Sequence, residues 1–196
     1  MIGTYGIMAI DPGGSTGVAW GRFDKNADSV KDALSARWYS SSTTIEGSVV
    51  SQILQLSKIW RKFYGECVNS LGIPPNDVHL CVEDFNLAGS NRRPKAGEDP
   101  LISVKIAWGL WGYRSGQAHE HERWGGVSGP VYIHWQTPSQ AKSYATDTRL
   151  KEWGVYVRGS THERDAWRHI AFRIAELERQ RVAHPSRVRA RAHMRR

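Results

Sequence analysis

The stretch Ile7-Met8-Ala9-Ile10-Asp11-Pro12-Gly13-Gly14-Ser15-Thr16-Gly17 decides how the chain is read. Four apolar residues run straight into an acid, a proline and a glycine pair. A short apolar run bounded by turn residues predicts a buried strand, Tyr5–Ile10. Glycine tolerates the positive φ that a tight turn demands, so Gly13-Gly14 predicts a hairpin into a second strand, Thr16–Phe23. Asp11 is thereby placed at a strand end. Asp-Pro-Gly is also sound turn chemistry in its own right, so the acid gains meaning only in company.

That company is Glu83, which closes Leu80-Cys81-Val82, and Asp165, which opens an amphipathic segment within His162-Glu163-Arg164-Asp165. Adjacent parallel strands lie ~4.8 Å apart, so two acids ending neighbouring strands can share one ion. His162 and Asp165 are spaced i, i+3 on one helical face, and His169 lies further along it. Glu83 as a solvated strand end, and Asp165 as a partner of the helix dipole, are the plainer alternatives. Oxygen donors of this kind suit Mg²⁺, and imidazole is a better partner for Mn²⁺. His119-Glu120-His121-Glu122 reads instead as a solvated polar loop.

Working outward, Ala33–Ser40 is expected as a third strand after a polar turn at Asp24–Asp32. Thr43 and Glu46 form a capping-box pattern. It opens a helix whose stripe is Ile45, Val49, Ile53, Leu56, Trp60, Phe63, Cys67 and Leu71, stopped by Gly72 and Pro74-Pro75. A strand at Val78–Asp84, a loop at Asn86–Pro100 and a helix at Leu101–Tyr113 follow. After a polar loop at Ala118–Gly129 come a strand at Val131–Gln136 and short helices at Ser139–Ala145 and Asp147–Trp153. A last helix spans about Glu163–Val182, capped by Ser160 or Thr161. The order β-β-β-α-β-α-β-α implies an antiparallel three-strand meander followed by parallel strands.

At 196 residues the chain suits one domain, 1–183, with a basic tail, 184–196. Formal net charge is +8, and seven arginines from Arg179 to Arg196 supply most of it; the rest holds twenty basic against nineteen acidic residues. Such a localised cluster points to a polyanion, with a solubilising end as the plainer reading. Cys67 and Cys81 lie in apolar contexts and are expected as buried thiols. Met1–Ile10 lacks a signal-peptide pattern and no run approaches the ~20 apolar residues of a membrane span, so a soluble cytoplasmic protein is expected.

The three quoted motifs, in this order, resemble the RuvC-type Holliday-junction resolvases of the RNase H-like superfamily. The elements Ile10–Gly17, Val82-Glu83-Asp84-Phe85 and His162–Ala166 carry the resemblance. Gln136–Lys142 through His169 is most similar to the RuvC-like resolvases of actinobacterial phages, and the likeness spans about Tyr5 to Leu177. It implies an RNase H-like five-stranded mixed sheet flanked by helices, and a homodimer acting on four-way DNA junctions. The site would be Asp11, Glu83, His162 and Asp165, with two Mg²⁺ or Mn²⁺ ions. It also implies a location in the cytoplasm of a phage host. Leu101–Tyr113 takes the place of the family's dimer helix, with Val104, Trp108 and Trp111 at its interface. The bacterial enzymes carry an aromatic three residues after the strand glutamate; here that position is Asn86, and Phe85 sits one earlier as the candidate for contact with bases. Arg92, Arg93, Lys95, Lys142, Arg187, Arg189 and Arg191 are candidates for phosphate contact.

The expected activity is therefore metal-dependent, structure-selective hydrolysis of branched DNA. A flap or debranching nuclease on the same fold and a non-catalytic branched-DNA-binding protein are the alternatives. An ATP-binding protein of the actin and sugar-kinase type would need a second phosphate loop and about twice the length.

Overall fold

The structure is a computed structural model that describes residues 3–84, 104–106, 108–109 and 133–183. Phe85, Arg92, Arg93, Lys95, Trp111, Arg187, Arg189, Arg191 and the His119–Glu122 segment lie outside the described residues.

Five strands form one mixed sheet in the order β3-β2-β1-β4-β5. They are β1 (Thr4–Asp11), β2 (Thr16–Asp24), β3 (Trp38–Ile45), β4 (Val78–Glu83) and β5 (Ile133–Gln136). The first three pair antiparallel, while β4 runs parallel to both β1 and β5. This is the expected α/β architecture of a meander joined to parallel strands. The central strand explains the apolar run that announced it. Ile7 and Ala9 face one helical layer, Met8 and Ile10 the other, and all four are buried.

One layer is α2 (Val49–Gly65), which lays Leu56, Trp60 and Phe63 on the sheet. The other is α5 (Thr161–Ala183), with Ala166, Ile170, Ala171 and Ile174. Two short helices, α3 (Pro138–Tyr144) and α4 (Asp147–Glu152), lead into α5. Thr137 and Gln140 cap α3 reciprocally. Both cysteines are buried and free, and burial pushes each thiol up to about 12.

Three expectations are corrected. Residues 30–35 form α1 (Val30–Ser35), where Ala33 and Leu34 are buried, so the third strand begins only at Trp38. The signal was Ser29, whose hydroxyl accepts the Asp32 N–H as an N-cap. Second, Thr43 and Glu46 do not open α2. Thr43 and Thr44 belong to β3, Gly47 interrupts at φ 112°, and Ser48 is the cap, accepting the Ser51 N–H at 3.3 Å. β-branched residues satisfied in a ladder outcompeted a capping pattern. Third, α2 passes into a π turn, Glu66–Ser70, before Gly72 turns the chain at φ 64°.

Residues 104–106 and 108–109 are helical, within the helix expected there. Ile106 is buried against the α2 layer, and a Cβ on Gly109 would fall 2.2 Å from the Ile53 side chain. Val104 is half-buried, and Trp108 is 58% exposed.

Candidate active site

Asp11 ends β1, Glu83 ends β4, and the two strands are hydrogen-bonded neighbours with Ile10 opposite Val82. The α5 N-terminus crosses above them. Gly17, paired with Asp11 across the hairpin, makes this approach possible: a Cβ there would meet the His162 carbonyl oxygen at 2.1 Å. Glu163 fastens the same turn of helix to β3, accepting from Ser42 Oγ at 2.6 Å and from Thr44 Oγ1 at 3.1 Å.

His162, Asp11, Glu83 and Asp165 are thus brought to one end of the sheet. The His162 Nδ1–H donates to Asp11 Oδ2 at 2.9 Å. Asp11 is 7% exposed. Burial above all raises its carboxyl above the ordinary 3.8, the His162 bond opposes this, and the charges of Glu83 and Asp165 raise it further. His162 is raised above 6.5, chiefly by its bond to Asp11. Lys142, from α3, lies 3.0 Å from Asp165 Oδ2. Burial works against its charge, but Asp165, Glu83 and Asp11 outweigh that and raise its pKa. Arg168 bridges Asp165 and Asp147.

Two supporting residues were harder to read from sequence. His169, which the sequence places only further along the helical face, is 1% exposed and spans Glu83 Oε2 and Gln136 Oε1 at 2.9 Å each. Gln136 sits directly opposite Glu83 in the β4–β5 register. Gln52 was missed altogether. It is buried beneath the Gly13-Gly14 turn, where its amide donates to Gly14 O at 2.9 Å and to Gly47 O at 3.0 Å, and its Oε1 accepts from Thr16 Oγ1. Its signal was a polar residue at i+3 from Val49 and i−4 from Leu56, inside an apolar stripe.

The donor chemistry suits a hard divalent cation: three carboxylates from three elements, with a histidine beside them. As they stand, each carboxylate is engaged by a basic side chain. Among the described residues no group of three or more His, Cys, Asp or Glu closes on a single point. The positive charge of Lys142 and Arg168 occupies the field that a cation would neutralise.

No family model, curated protein or solved structure matches the chain. Among the described residues no helix is long and apolar enough to cross a membrane.

Proposed function

We propose that this chain is a metal-dependent endonuclease of branched DNA, with Asp11, Glu83, His162 and Asp165 as its active site. The observation that carries the reading is electrostatic. Three carboxylates from separate elements lie close enough that Glu83 and Asp165 both oppose ionisation of a buried Asp11. Mutual repulsion of the three acids costs the fold stability even with a basic partner on each, and acids of this kind repel a phosphate backbone unless a cation intervenes.

Asp11, Glu83 and Asp165 would hold one or two Mg²⁺ or Mn²⁺ ions, which when bound would supply an activated water and stabilisation of the leaving 3′-oxygen. The chain's own groups do the rest. Gln52 and Thr16 hold the Gly13-Gly14 turn that follows Asp11. His169 and Gln136 hold Glu83. His162, with Nδ1 committed to Asp11, keeps Nε2 for exchanging a proton with water or a phosphate oxygen. Lys142, half exposed beside Asp165, supplies a positive charge for a phosphate.

A four-way junction has twofold symmetry, and we extend the reading to a homodimer that presents two sites. Trp108 is supported in this role by Val50 and Leu54, one turn apart on α2, which are 66% and 51% exposed. Ile53 of the same helix contacts Gly109, next to Trp108.

The deciding experiment incubates the purified chain with synthetic four-way junctions, flaps, forks and linear duplex, with Mg²⁺, with Mn²⁺ and with a chelator. Symmetric cleavage of the junction that requires the metal is expected. Junction binding without cleavage in either metal would leave a non-catalytic DNA-binding protein, and preferential cleavage of flaps would favour a debranching nuclease.

A further inference from the structure

A second feature lies at the opposite end of the sheet. There Arg22, Lys25, Trp38, Leu71, Ile73 and Asp77 line a cavity of about 500 Å³. We propose that it binds one unpaired nucleotide of a DNA strand, with the base stacked on Trp38 and the phosphate at Arg22. The proposal deepens the nuclease reading, on which it rests, by adding a second point of attachment for the same substrate.

Three observations support it. The first is a β-bulge. The β2–β3 ladder pairs Trp20 with Ser41 but Arg22 with Trp38, so β3 carries one extra residue over that interval. Bulges re-aim side chains, and this one brings Trp38 opposite Arg22 in the ladder, both of them lining the cavity. It does so at a cost: Tyr39 sits at φ 45°, in the left-handed region that side chains avoid.

The second is the character of the cavity. Trp38 is 45% exposed and lines the cavity together with the apolar Leu71 and Ile73. Arg22 is held over the Tyr39 ring at 4.6 Å, and its Nε is buried without a hydrogen-bond partner. Lys25 is paired with Asp77, so among the charged lining residues Arg22 supplies the excess positive charge, with Glu66 acting on the same Tyr39 ring. An aromatic face beside a cation is the combination that holds single-stranded nucleic acid, because every base has a π-face and a phosphate next to it.

The third is where the basic tail starts. Arg181 donates to the backbone carbonyls of Lys25 and Ala27, which fixes the end of α5 at the rim of the cavity. The chain then continues from Ala183 into Arg187, Arg189, Arg191, Arg195 and Arg196. The described end of α5 thus lies at the end of the sheet that holds the cavity, about 23 Å from the carboxylates by the seven steps of β1 from Thr4 to Asp11. That separation is about seven nucleotides of a stacked strand.

The test uses a short oligothymidylate carrying one 2-aminopurine, titrated with the full chain. Trp38→Ala and Arg22→Ala should each weaken binding roughly ten- to a hundredfold, the loss of one stacked base, and Trp38→Phe should retain part of it. Photo-crosslinking of the wild-type chain to 5-iododeoxyuridine should map to Trp38, a readout that stands even if a variant fails to fold. Wild-type affinity in folded Trp38→Ala, or crosslinks confined to other residues, overturns the proposal. If Trp38→Ala keeps wild-type affinity and still cleaves junctions, only this inference falls. A wild-type chain that binds no form of DNA removes the nuclease reading with it.

Discussion

Gly17 lies beneath the carbonyl of His162 so closely that a β-carbon would stand 2.1 Å from its oxygen. The pair joins the hairpin that ends in Asp11 to the helix that begins with His162 and Asp165. Gly17→Ala must push the α5 N-terminus away from β2, because the clash is with backbone and no rotamer relieves it. The expected result is destabilisation of at least about 1–3 kcal/mol and loss of cleavage beyond what the lower stability explains. Urea unfolding and junction cleavage measured on one preparation check both, and a fully active alanine variant would refute the packing argument.

Asp11→Asn should abolish cleavage while junction binding persists, since a neutral amide ligates a cation poorly and repels no phosphate. It should also change the pH dependence of stability. Asp11 and His162 both have folded pKa values above their ordinary ones, so the folded state binds more protons in each window. Stability without metal should therefore fall as pH rises from 3.8 to the folded pKa of Asp11, and again from 6.5 to that of His162. Urea midpoints in chelator should show the wild type losing ground to Asp11→Asn as pH rises. Mg²⁺ or Mn²⁺ should restore the wild type alone, by about 2.7 kcal/mol at a hundredfold excess over its Kd. A pH-independent difference between the two proteins contradicts the assignment.

His169→Ala removes the imidazole that bridges Glu83 Oε2 and Gln136 Oε1 from a largely buried contact. A destabilisation of about 1–3 kcal/mol is expected. If His169 positions Glu83, the metal concentration needed for half-maximal cleavage should rise, with partial recovery in His169→Gln. An unchanged metal requirement would make His169 a packing residue only.

Deleting residues 184–196 removes five arginines and spares Arg181, whose bonds to Lys25 and Ala27 make it part of the fold. Binding to every DNA shape should weaken, and the salt dependence should flatten by ~0.9 log units for each phosphate that an arginine no longer neutralises. Preference for junctions over duplex should survive in competition assays. Loss of that preference at unchanged duplex affinity would mean that the tail reads DNA shape.

Trp108→Lys combined with Leu54→Lys should convert a dimer to a monomer in sedimentation at tens of micromolar while the fold is kept. Both side chains are more than half exposed, so the charge costs the monomer little. A wild-type chain that sediments only as a monomer, with and without DNA, removes the dimer from the proposal.

Much was legible in the chain because local rules were strong. Ile7–Ile10 is apolar on both faces and had to be a buried strand. The meander, the α2 stripe from Leu56 to Cys67 and the long last helix follow from periodicity and turn residues. Asp11, Glu83 and Asp165 could be placed at element ends without coordinates. What local rules leave open is which of two satisfied arrangements wins. Thr43 and Glu46 offered a helix cap, yet pairing with β2 took the threonines. Ser29 and Asp32 opened a helix where a strand was expected. The meetings of distant elements were beyond periodicity altogether: Gln52 under the glycine turn, His169 on Glu83, Gly17 beneath His162, and the bulge that sets Trp38 opposite Arg22. The sequence by itself determined the layers and which acids end their elements, because hydrophobic alternation and turn chemistry act over a few residues. Only the tertiary structure decided what each acid touches, because side chains up to 151 positions apart meet only when the sheet and its two helical layers close.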